Sequence, residues 1–84
     1  REETVTLECD NDLAGVIIDR FGRDVTLFPG KNTFFVSVSV MISNNFFSWV
    51  LQFGGRMQIT APQSVIEEMR SLLSEVTEIY EGNK

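Results

Sequence analysis

The sequence predicts an α+β domain of ferredoxin-like, split-βαβ type (β-α-β-β-α-β) with an additional C-terminal helix. Three observations predict it. Four short segments alternate apolar and polar side chains, the mark of half-buried strands. Three further segments repeat their apolar residues at helical spacing. In chain order these give strand, helix, strand, strand, helix, strand, helix, which is two βαβ halves joined by a hairpin and followed by a helix.

The first strand is Thr4 to Cys9, with Val5, Leu7 and Cys9 on one side and Thr4, Thr6 and Glu8 on the other. Asp10 or Asn11 then offers an N-cap, Asp12 suits a first helical turn, and Leu13, Val16, Ile17 and Phe21 recur at helical spacing before Gly22 stops the helix. Val25 and Leu27 mark a short second strand that Pro29-Gly30 breaks. Thr33 to Met41 is the clearest strand, a β-branched run suited to the middle of a sheet. Ser43 or Asn44 can cap a second helix reaching about Phe53. Its apolar residues cover most of the circumference, more than one buried stripe needs. After Gly54-Gly55, Met57 and Ile59 alternate with Gln58 and Thr60 in the fourth strand. Pro62 suits the first turn of the last helix, with Ser64 and Glu67 as an alternative capping box. Val65, Met69, Leu72, Leu73, Val76, Ile79 and Tyr80 make its apolar stripe.

In the expected architecture the first and third strands are central. On every strand the side opposite the apolar set is mainly small or polar: Thr4, Thr6 and Glu8, then Asp24 and Thr26, Ser37 and Ser39, Gln58 and Thr60. Two helices on the apolar face would leave this hydroxyl-rich face open to solvent, a ligand or another protein, unless the third helix folds over it. Phe28 and Phe35 fall on this open side by register and are candidate dimer or partner contacts.

Composition narrows the chemistry. Eighty-four residues, 43% of them hydrophobic, make one domain with one core, spanning residues 1–84. A domain this small buries only about 60% of its unfolded surface. The single cysteine, Cys9, cannot form an internal disulfide, which fits a cytoplasmic setting. With no histidine, Ser–His–Asp and Cys–His catalysis and histidine-bound zinc are excluded, and no cofactor or metal is expected. The expectation is a binding domain and not an enzyme. A net charge of −5 argues against nucleic-acid phosphates as the main partner of this chain. All acids lie between Glu2 and Asp24 or between Glu67 and Glu81. From Lys31 to Gln63 the only charges are Lys31 and Arg56, which reads either as neutral core or as a mildly positive surface. No apolar run reaches the ~18 residues of a membrane span. No signal peptide opens the chain, and its start at Arg1 without methionine reads as a piece of a longer protein.

Each candidate residue carries two readings. Arg56 follows the carbonyl-rich end of the second helix, where a cation is favourable, or it meets a ligand or a neighbouring domain together with Gln58. Trp49 is core on a crowded helix or a partner contact. Gly54-Gly55 lies at the wrong helix end for a phosphate loop. Asp10 and Asp12 read as capping residues rather than an acid–base pair, and Cys9 as buried and inert. The glutamates of the last helix read as its solvated side.

The run Trp49-Val50-Leu51-Gln52-Phe53-Gly54, the strand Arg56-Met57-Gln58-Ile59, Pro62 and the amphipathic helix closing at Tyr80 together resemble the C-terminal extension (WCX) domain of WYL-domain transcriptional regulators. The early strand–helix unit ending in Arg20-Phe21-Gly22 extends the likeness across nearly the whole chain. The matching positions are mostly apolar, agreeing in order and spacing, and no single motif is diagnostic. The resemblance implies a bacterial, cytoplasmic regulator with an N-terminal winged helix-turn-helix, an Sm-like WYL domain and this extension. It implies a homodimer, contact with the adjacent WYL domain of the same chain, DNA contact only through the N-terminal domain, and a part in the ligand response. The basic ligand-binding residues of that family lie mainly in the WYL domain and are not carried over here. The alternative is a stand-alone ferredoxin-like small-molecule sensor, binding at a strand–helix edge or a dimer seam.

Overall fold

The alternation of Val5, Leu7 and Cys9 against Thr4, Thr6 and Glu8 is resolved by a sheet with one dry face. The computed structural model describes residues 1–82 and shows an α+β arrangement. Among the described residues it comprises β1 (Glu2–Asp10), α1 (Ala14–Phe21), β2 (Phe28–Pro29), β3 (Thr33–Met41), α2 (Asn44–Leu51), β4 (Met57–Ala61) and α3 (Gln63–Tyr80). Two 3-10 turns, Asn11–Leu13 and Gly54–Arg56, lead into α1 and β4. The strands form one antiparallel sheet in the order β2-β3-β1-β4, so the first and third strands are the central pair.

Register decides which face is dry. Val5 pairs with Val38, Leu7 with Val36 and with Ile59, and Cys9 with Phe34 and with Met57. All of these are buried, and Ile17 of α1, Phe46, Phe47 and Val50 of α2 and Val65 of α3 close over them. Val5, Leu7, Ile17, Val36 and Val65 have no exposed surface, and each such burial contributes roughly 1.5–3 kcal/mol. Val25, Leu27, Ile66, Met69 and Leu72 pack against the rim of this core.

The local signals act where their chemistry permits. Ser43 is the N-cap of α2, its Oγ accepting from the Phe46 N–H at 3.3 Å. Gly22 ends α1 with φ 94° and donates its N–H to the Ile18 carbonyl at 2.8 Å, a backbone state only glycine adopts cheaply.

Several elements depart from expectation. Val25 and Leu27 are not in a strand. They anchor an irregular segment by their side chains, and pairing with β3 is confined to Phe28 and Pro29. Proline can donate nothing to a ladder, and the Gly30 N–H already closes a turn onto the Thr33 carbonyl at 2.7 Å, so β2 stops there. The first helix begins as a 3-10 turn without a side-chain cap, and Asp10 Oδ2 accepts from Arg56 Nε at 3.4 Å. The second helix ends at Leu51 rather than Phe53. Pro62 precedes the last helix as its N-cap, after a cis Ala61–Pro62 bond. The Ser64–Glu67 box does not form. Glu67 accepts from Gln63 Nε2 at 2.7 Å instead.

Candidate interaction surfaces

The face opposite the core is polar and open. Thr4, Ser37, Ser39, Gln58 and Thr60 are exposed, and α3 does not cover them, lying against β4 and α2 on the apolar side. A hydrogen-bonded row crosses this face. Glu8 on the central strand accepts from Thr33 Oγ1 at 2.8 Å and from Gln58 Nε2 at 3.2 Å. The Thr6 and Ser37 hydroxyls lie 3.0 Å apart, and Thr60 Oγ1 donates to the Thr6 carbonyl at 3.3 Å. Gln58 is thus on the open face and tied to Glu8. Glu8 as the hub of the row is legible only once β1 is known to lie between β3 and β4.

Phe28 and Phe35 face each other across β2 and β3 on this side, as their register implied. Phe28 is 59% exposed, while Phe35 is half-buried. Between the Asp24–Phe28 segment and β3 runs a cleft of about 520 Å³, lined by Phe21, Val25, Phe28, Ser37 and Ser39 among others.

Arg56 is far from free. Its Nη2 donates to Asp12 Oδ2 at 2.6 Å and its Nε to Asp10 Oδ2 at 3.4 Å. The Asp12 hydrogen bond, then the Asp12 charge, raises the guanidinium pKa further above its ordinary value. The two aspartates that suggested capping are therefore the counter-ions of the one arginine in the acid-poor stretch. Arg56 and Gln58 both lie at the β4 side of the sheet, each already engaged by an acid of the β1 side.

Trp49 is half-buried in an aromatic cluster. Its ring meets Phe21 of α1 edge-on at 5.7 Å and Phe53 edge-on at 5.4 Å, and stacks on Phe46 at 6.5 Å. The Arg20 guanidinium lies 5.0 Å from the indole centre. This explains why α2 is apolar nearly all round: it meets the sheet, α1 through Trp49, and α3 beside Phe47. The residue that covers the indole, Arg20, gave no signal in the sequence beyond its place one position before Phe21.

The largest run of uncovered apolar side chains is the far end of α3. Val65 is fully buried and Met69 and Leu72 are half-buried, but Leu73, Val76, Ile79 and Tyr80 are exposed, the last two by 55% and 87%. The stripe that seats the helix therefore continues for two turns with nothing over it among the described residues. No described helix is long and apolar enough to cross a membrane.

No curated protein matches the chain. The WCX domain family matches residues 1–77, from the first strand to the exposed turns of α3. The chain belongs to the WCX domain family.

Proposed function

We propose that the chain is the C-terminal accessory domain of a bacterial WYL-type transcriptional regulator, binding and not catalytic, that mediates dimerisation and ligand-coupled contact with the adjacent WYL domain. In this reading DNA is touched only by an N-terminal domain of the same protein, and the regulator works in the cytoplasm. The order β2-β3-β1-β4 with a closing helix is read as a ferredoxin-like split βαβ.

Membership of the WCX family supports the reading. The single structural observation that carries it is the uncovered apolar end of α3. Small soluble domains seldom leave contiguous apolar stripes in water, and such stripes mark interaction sites. Leu73, Val76, Ile79 and Tyr80 fall on one side of the helix, as residues spaced by three and four do. They are offered to a groove of a neighbouring domain in the helix-in-groove mode.

The test is complex formation. The chain is mixed with the WYL domain encoded in the same reading frame and followed by analytical ultracentrifugation. A one-to-one complex is expected. Two independent, non-interacting species would remove the interdomain role.

A further inference from the structure

Along β1 and the first turns of α3, carboxylates find partners within the chain. Glu3 and Glu68 meet Arg1, Asp10 and Asp12 meet Arg56, and Glu67 meets Arg70 and Gln63. The far end of α3 breaks this pattern. Glu75 and Glu78 are exposed and have no ion-pair partner among the described residues, and the sequence holds no cation from Ser71 to Glu81. Glu75, Glu78 and Glu81 follow one another at a spacing of three, so like charges succeed each other along the helix. Glu78 and Glu81 also stand at the carbonyl-rich helix end, where an acid is unfavourable and a cation is favoured. The same two turns carry the exposed Leu73, Val76, Ile79 and Tyr80. Apolar surface in water and crowded acids thus coincide, and one occupant relieves both.

We propose that the far end of α3 receives a surface of the adjacent WYL domain that is apolar at its centre and carries Lys or Arg at its margin, one of these cations entering a cleft beside Glu75. The proposal rests on the interdomain reading above and names the chemistry of the partner. The cleft, of about 400 Å³, lies between α2 and α3 and is lined by Phe47, Leu72, Glu67, Glu68 and Glu75 among others. Glu67 and Glu68 are already engaged, which leaves Glu75 to take the incoming cation. Phe47 and Leu72 offer apolar surface to its aliphatic stem, the arrangement long basic side chains favour.

The two flanks of the helix differ, and this orients the partner. On the flank opposite the acidic cleft, Leu73 borders an apolar groove of about 170 Å³ shared with Leu51 and Met69. An apolar side chain suits that groove and a cation suits the Glu75 cleft, so only one orientation satisfies both. A second copy of this face brings no cation between Ser71 and Glu81 and sets acids beside acids.

Calorimetric titration of the chain with the WYL domain of its own reading frame, at about 50 mM and about 500 mM sodium chloride, tests the assignment. Wild type is expected to bind more tightly at low salt. Glu75→Gln with Glu78→Gln should weaken binding roughly tenfold at low salt and flatten its salt dependence. The free variant should melt no lower than wild type, because an acid has left the carbonyl-rich end. Glu2→Gln with Asp19→Asn removes the same charge from other exposed positions and should leave affinity within about twofold. Binding that ignores both salt and the Glu75, Glu78 pair overturns the basic margin and leaves the interdomain contact standing. Equal weakening by the two double variants reduces the effect to net charge and overturns the site. A dimer of the chain alone that Ile79→Asp dissolves puts a second copy on this face and overturns the proposal. Absence of binding at either salt overturns the interdomain reading with it.

Discussion

Asp12 and Arg56 are 44 residues apart in sequence, yet the Arg56 Nη2 donates to Asp12 Oδ2 at 2.6 Å. The contact ties the turn that follows β1 to the turn that precedes β4, with Asp10 as a second acceptor on the same guanidinium. Both ends are about half exposed or more, so water and salt screen the pair. Arg56→Gln should leave the urea midpoint almost unchanged, with any difference vanishing at high salt. A large, salt-independent loss of stability would show that the pair holds the fold together.

Cys9 reports on the core. Burial, then the charges of Asp10 and Glu8, pushes its thiol up to about 11 from 9.0. The folded state therefore holds the proton more tightly than the unfolded chain does. Its contribution is fully present below about pH 9 and is lost as pH rises to about 11. Two units correspond to roughly 2–3 kcal/mol. Urea unfolding of wild type should weaken more steeply over this window than that of Cys9→Ala. Parallel curves would place the thiol in water, as would fast labelling of the native thiol by iodoacetamide.

Core and overhang should separate under mutation. Ile17→Ala empties a fully buried site and should cost about 2–5 kcal/mol by denaturant titration. Tyr80→Ala removes a ring that is almost wholly exposed and should fall within about 0.5 kcal/mol of wild type. Equal costs would mean that Tyr80 packs on something within the chain.

The indole of Trp49 is a built-in probe. Trp49→Ala dismantles contacts with Phe21, Phe46 and Phe53, and should cost on the order of 2 kcal/mol, below the range for fully buried tryptophan. Arg20→Gln should red-shift the emission of Trp49 and raise its quenching by acrylamide, since the guanidinium lies over the ring. An unchanged spectrum would separate Arg20 from the cluster.

Much of this was legible in the sequence. Period-two alternation in Val5-Leu7-Cys9 and Phe34-Val36-Val38-Val40 places these residues correctly in the core, because a strand with one dry face admits only one register. The same alternation misleads at Val25 and Leu27, where two anchored side chains look like a strand although the backbone pairs only at Phe28 and Pro29. Asp12 sits in the first turn as expected, whereas Asp10 makes no cap hydrogen bond, and both pair with Arg56 over a long range that no local pattern encodes. Trp49 was equally ambiguous: its helix is apolar all round because it has three neighbours, a fact of tertiary packing. The stripe on α3 was visible to its end, but only the three-dimensional arrangement separates Val65, which is used, from Tyr80, which is not.

The sharpest test is to titrate isotope-labelled chain with the WYL domain of its own reading frame and follow every amide and methyl signal by NMR. Shifts and broadening are expected at Leu73, Val76, Ile79 and Tyr80, and should be abolished by Ile79→Asp at unchanged thermal stability. Saturable binding whose perturbations avoid these four residues would contradict the role assigned to the end of α3.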